Sequence, residues 1–140
     1  MSQLIDEMMD EVQTKGRAIT LLMNELREFA DTFDSSRAST EDRTKAAAFQ
    51  EIVEKLAEPE SIINYYNKRV KFEGYAILQD GRYMAGERSL FSGSIIEVLE
   101  DVLEDGKLYQ WRRTHIEYDN GYYAVGFPKS KVDELRVRIR

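Results

Sequence analysis

The chain has 140 residues and a mass of 16.3 kDa, with 20 basic side chains against 26 acidic ones, a formal net charge of −6 and a sequence pI of about 4.9. The absence of cysteine excludes disulfides, thiolate nucleophiles and Cys-ligated metal sites, and a single histidine excludes multi-His centres. A hydrophobic share of 42% beside 33% charged residues is a globular composition. The start MSQLIDEMMDEV has neither a basic lead nor an apolar core, and no stretch has the length of a membrane span. The expectation is a soluble, cytoplasmic protein.

Ile5, Met9, Val12, Gly16, Ile19, Met23, Leu26, Ala30 and Phe33 recur at spacings of four and three, a heptad seam that predicts one long helix. Met8, Leu22 and Phe29 widen it on one side. Asp34-Ser35-Ser36-Arg37-Ala38-Ser39 then favours a turn. Ser39 or Thr40 can cap a second helix whose apolar face is Ala46, Phe49, Ile52, Val53 and Leu56. Pro59 removes a donor and crowds the preceding turn, so a break is expected there, with a new short helix from Glu60. The short loop predicts an antiparallel helical hairpin over residues 1–68.

From about Arg69 the pattern is that of strands. Asp80-Gly81, Asp105-Gly106 and Asn120-Gly121 are dipeptides suited to two-residue hairpin turns, because those turns need positive φ. The runs around them are Phe72 to Leu78, Arg82 to Ala85, Ile95 to Leu103, Leu108 to Tyr118, Tyr122 to Phe127 and the closing Leu135 to Arg140. About six short strands over 69–140 predict a small antiparallel β-barrel-like (SH3-like) domain. The run 95–104 also fits a helix, with Ile95, Val98, Leu99, Val102 and Leu103 on one side. The fold class expected is α+β.

The segments GYAILQDGRY, LFSGSIIEVL and WRRTHIEYDNGYYAVGF carry a resemblance, through Leu90, Gly93, Glu97, Val98, Trp111, Thr114, Ile116, Glu117, Tyr118, Gly121, Tyr123, Val125 and Gly126. On these residues the C-terminal half resembles an uncharacterised family of small β-domains of unknown function (family 5348), associated with Gram-positive bacteria, phages, plasmids and conjugative elements. The sequence departs from the family pattern at Ser92, Ser94, His115 and Tyr122. The resemblance implies a fold and a genomic setting, and supplies no catalytic residues.

Motifs for chemistry are thin. Strand alternation puts His115 and Glu117 on one face with Arg113, a pair short of a metal-ligand set and more simply a polar ladder. Phe91-Ser92-Gly93-Ser94 lacks the first glycine of a nucleophile elbow, and no phosphate-cradling loop is present. Glu100, Asp101, Glu104 and Asp105 read as a solvated edge. No cofactor and no metal are expected, and the chain is expected not to be an enzyme.

Three interaction readings follow. Tyr109, Trp111, Arg113, His115, Glu117, Arg136, Arg138 and Arg140 form a possible partner surface, which as a nucleic-acid face would lack the net-basic footprint such proteins carry. The three arginines also suit an edge strand, where charge prevents edge-to-edge pairing. Fourteen acidic and eight basic side chains fall in residues 1–68, so the whole −6 lies there. That acidity suits an inhibitor of a host defence nuclease, of anti-CRISPR or anti-restriction type.

The favoured reading is a non-enzymatic interaction or regulatory protein of a mobile element, with a protein partner and a homodimer built on Ile5, Met9, Val12, Ile19, Met23, Leu26 and Phe33. A helix of that length spans about 48 Å, whereas short strands reach under about 20 Å, so its seam calls for a second copy.

Overall fold

The computed structural model describes residues 2–140. The chain divides into two compact units, Met1–Lys68 and Arg69–Arg140. The class is α+β: a helical hairpin followed by antiparallel sheets.

Helix α1 runs Ser2–Thr32 and helix α2 runs Thr40–Asn67. The turn between them is fixed by side chains. The Asp34 carboxylate accepts from the Ser36 backbone N–H (3.0 Å) and hydroxyl (2.6 Å), and the Arg43 guanidinium donates to the carbonyls of Ser35 (3.1 Å) and Ala38 (2.8 Å). Ser39 caps α2, its hydroxyl accepting from the Asp42 N–H at 3.0 Å, with Glu41 and Asp42 in the favourable first turn. The expected break at Pro59 is absent: α2 is continuous through it. The missing donor costs about 3 kcal/mol in a helix interior. Contacts on both sides of the proline hold the helix in register, with Phe49 against Phe29 before it and Ile63 against Gly16 after it.

The second unit has eight strands rather than six: β1 Phe72–Tyr75, β2 Ile77–Gln79, β3 Arg82–Ala85, β4 Arg88–Leu90, β5 Ile95–Asp101, β6 Tyr109–Tyr118, β7 Tyr122–Ala124 and β8 Arg136–Ile139. The run Phe72 to Leu78 is divided at buried Ala76 between two sheets. A five-stranded sheet is ordered β1-β8-β5-β6-β7 and a three-stranded one β2-β3-β4. The sheets do not close on each other, so the barrel of the sequence reading is only approximate.

Residues 95–101 are strand, not helix. Central placement decides it: β5 pairs with β6 along its length and with β8 at Glu97 and Val98, and alternation sends Ile96 and Val98 into the core. Val102 and Leu103, which a helix would have turned inward, are exposed.

Of the three turn dipeptides, only Asp80-Gly81 makes the two-residue turn, with φ of 52° and 76° and Gln79 opposite Arg82. Asn120-Gly121 lies in a three-residue connection, since Tyr118 faces Tyr122. Asp105-Gly106 lies in a seven-residue loop between Asp101 and Tyr109, where the Asp101 carboxylate accepts from the Gly106 N–H. Gly86-Glu87 makes a further two-residue turn between Ala85 and Arg88, with Gly86 at φ 62°.

Strand β8 lies inside the sheet, between β1 and β5, so its arginines do not guard an edge. The core comprises Ala76, Tyr83, Ala85, Leu90, Ile96, Val98, Ile116, Ala124, Val132, Val137 and Ile139, with Phe72, Tyr122, Phe127 and Leu135 packed around it.

Candidate functional site

In the hairpin, the seam predicted from the sequence divides along its length. Met23 is fully buried and Gly16 buried, while Ile19, Leu26 and Phe33 are half-buried and Ile5, Met9 and Val12 are exposed. At Gly16 the helices lie close together: a Cβ there would stand 2.6 Å from the Ile63 methyl. At the loop end, Phe29 stacks on Phe33 (5.3 Å) and meets the edge of Phe49 (5.5 Å).

The helices leave two apolar concavities. One, of about 590 Å³, is lined by Leu26, Phe29, Ala30, Phe33, Ala46 and Phe49. The other, of about 270 Å³, is lined by Ile5, Met8, Met9, Val12, Ile62 and Tyr66. Beside the seam, Leu4, Met8, Leu22 and Phe29 form a second exposed apolar stripe on α1. Spacings of four, then fourteen, then seven keep these four on one side of a 3.6-residue helix. Met8, Leu22 and Phe29 are the residues that widen the seam in the sequence, and Leu4 extends them by one turn.

In the second unit, alternation puts Tyr109, Trp111, Arg113, His115 and Glu117 on one face of β6, away from the core residue Ile116. The register sets Arg113 and Arg138 opposite Glu97, Trp111 opposite Leu99, and Arg138 opposite Glu73. Thus most of the predicted partner surface is brought together on one sheet face, with Arg136 flanking Arg138 in β8 and Arg140 just past its end.

That face is internally paired. Arg136 binds Glu73 at 3.0 Å and Arg138 approaches the same carboxylate at 3.4 Å. Arg140 donates from Nε to Glu97 at 2.9 Å, and the Arg138 guanidinium lies 4.6 Å from the centroid of the Trp111 ring. Glu97 is only 2% exposed, which demands such compensation: an unpaired buried carboxylate would cost several kcal/mol. His115 Nε2 and Glu117 Oε1 are 3.0 Å apart and both half-exposed. Among the described residues no group of three His, Asp or Glu side chains could hold a metal ion.

The acidic cluster expected near the β5–β6 loop is absorbed structurally. Glu100 accepts from Gln110 (3.0 Å) and pairs with Arg112 (3.4 Å), Asp101 holds the loop, and Asp105 accepts from the Lys107 N–H (2.9 Å). Arg112 also lies 5.5 Å over the Phe127 ring and packs on the backbone at Gly126. Ser92 and Gly93 form a turn, tied by the Ser94 hydroxyl accepting from the Phe91 N–H at 3.0 Å.

A family model described as a domain of unknown function (DUF5348) matches residues 66–139. No curated protein and no solved structure matches the chain significantly. No helix among the described residues is long and apolar enough to cross a membrane.

Proposed function

The chain belongs to the DUF5348 family through its second unit, and for the whole chain we propose a non-enzymatic interaction or regulatory protein that self-associates through its helical hairpin. The observation that carries this reading is the exposure of Ile5, Met8, Met9, Val12, Leu22 and Phe29 on one helix. Two helices in one layer have no second layer to enclose such a surface, whereas a second hairpin completes a four-helix bundle. Covering the exposed part of each residue contributes on the order of 1 kcal/mol, and a two-fold contact counts every residue twice.

The double variant Met8→Glu/Leu22→Glu tests it. Both residues are exposed, so the helices and the β-unit should keep their circular dichroism while light scattering reports the mass of a single chain. A variant with the same mass as the parent contradicts the proposed interface.

A second reading draws on charge. The entire −6 lies in residues 1–68, which favours a basic protein partner, such as a defence nuclease opposed by a mobile element, over nucleic acid. Capture on an immobilised basic nuclease that weakens as salt rises is the expected result, and salt-insensitive capture or none argues against it. Direct nucleic-acid binding is the weaker reading, because Arg136, Arg138 and Arg140 already face Glu73 and Glu97.

A further inference from the structure

The hollows between the two helices differ in charge. The one at the open end, beside Ile5 and Tyr66, has no charged residue in its lining. One at the loop end is balanced, with Asp34 and Asp42 against Arg37 and Lys45. The larger hollow at the loop end, of about 590 Å³, is lined by two arginines, Arg27 and Arg43, and by no carboxylate. That is the reverse of its surroundings, since residues 1–68 carry fourteen acidic side chains and eight basic ones.

Neither arginine is neutralised within the chain. Arg27 makes no ion pair among the described residues. Arg43 donates from Nη1 to the carbonyls of Ser35 (3.1 Å) and Ala38 (2.8 Å), neutral acceptors that fix it at the turn. The contacts of Phe29 with Phe49 and of Gly16 with Ile63 set the register of the helices. Arg43 therefore stands level with Ser35, and Arg27 lies about 12 Å further along α1. The two cations mark the two ends of an apolar hollow.

Its volume falls within the range of roughly 300–1,000 Å³ typical of small-molecule sites, which join an apolar lining to a few polar groups. A partner helix of average length, about 15–20 Å, would overrun both arginines. We propose that this hollow binds a small amphipathic carboxylate, an unbranched apolar chain that lies along Ala30, Ala46 and Ala47 with its carboxylate at Arg27. Arg27 is the end that takes the charge, because Arg43 is already engaged by the turn.

The site is separate from the proposed self-association. Arg27 lies about 140° around α1 from Leu22, so a second copy seated on the stripe of Met8 and Leu22 leaves Arg27 free.

Dodecanoate is the probe and dodecyltrimethylammonium the control, each titrated into the full chain below its micelle concentration. The net charge of −6 attracts the cationic control, so a preference for dodecanoate reports the two arginines. Dodecanoate should bind and shift the amides of Leu26 to Phe33 and of Arg43 to Val53. Arg27→Glu, at an exposed position, should weaken it about fivefold while the melting temperature holds. Ala47→Phe, also at an exposed position, fills the hollow and should abolish binding. Met8→Glu/Leu22→Glu should bind as the parent does, which separates this site from the interface between copies. Equal or tighter binding of the ammonium, no binding, binding retained in Ala47→Phe, or shifts confined to residues 69–140 overturns the proposal.

Discussion

Among the described residues, residues 69–140 enclose eleven buried apolar side chains, from six strands, one short 3₁₀ turn and Ala76 between β1 and β2, whereas residues 2–68 bury only Gly16, Met23 and Tyr65. The charge is distributed in the opposite sense, with the whole −6 on the helices and a neutral sum on the sheets. The difference teaches that one chain contains two solutions to the burial problem. The β-unit encloses a core of its own and pairs its buried Glu97 with Arg140. The hairpin buries little and leaves apolar side chains exposed along α1.

The comparison breaks first if the β core is not self-sufficient. Ile96→Ala removes a fully buried side chain between β5 and its neighbours and should cost about 3 kcal/mol. Denaturant titration followed by Trp111 fluorescence should show the loss while the helical signal melts at its own midpoint. A helical midpoint that moves equally means the units are not independent.

Gly16→Leu sharpens the helical side. A Cβ there meets Ile63 at 2.6 Å, and overpacking costs about 1–3 kcal/mol against a helix-propensity gain of about 0.8. A net loss in the helical transition alone is expected. Gly126→Ala should cost about 1–2 kcal/mol in the β-unit, since Gly126 has φ of 89° and its Cβ would press on the Arg112 guanidinium at 3.2 Å.

The smallest effect concerns the helix–helix loop. The Asp34 carboxyl is held below its ordinary value of 3.8, first by the Ser36 hydroxyl and then by the Ser36 N–H. A depressed folded value means the contribution is present above the unfolded value and is lost as pH falls through the folded one. Acidification below pH 3.8 should loosen the loop. The Ser36 amide shift should therefore titrate with a midpoint under that value, and Asp34→Asn should abolish the titration.

Local chemistry made much of this legible. The heptad seam announces α1, Ser39 its neighbour's cap, and Asp80-Gly81 the tightest hairpin. Features set by distant contacts were not legible. Residues 95–101 satisfy either period, and only pairing with β6 and β8 selects a strand. Pro59 reads as a break until packing on both sides is seen, and β8 reads as an edge until β1 covers it. Gly86-Glu87 is a weaker turn signal than Asp-Gly, which hid β4. On the exposed face of β6, alternation places His115 with Glu117, but the Glu73 and Glu97 partners of the arginines come from strands 63 and 43 residues away.

The proposed self-association makes the hairpin half of an interface. Light scattering on the full chain across a concentration series tests it most directly. A mass near twice the 16.3 kDa of the chain is expected, falling towards one chain on dilution. A constant single-chain mass at the highest concentration would contradict it.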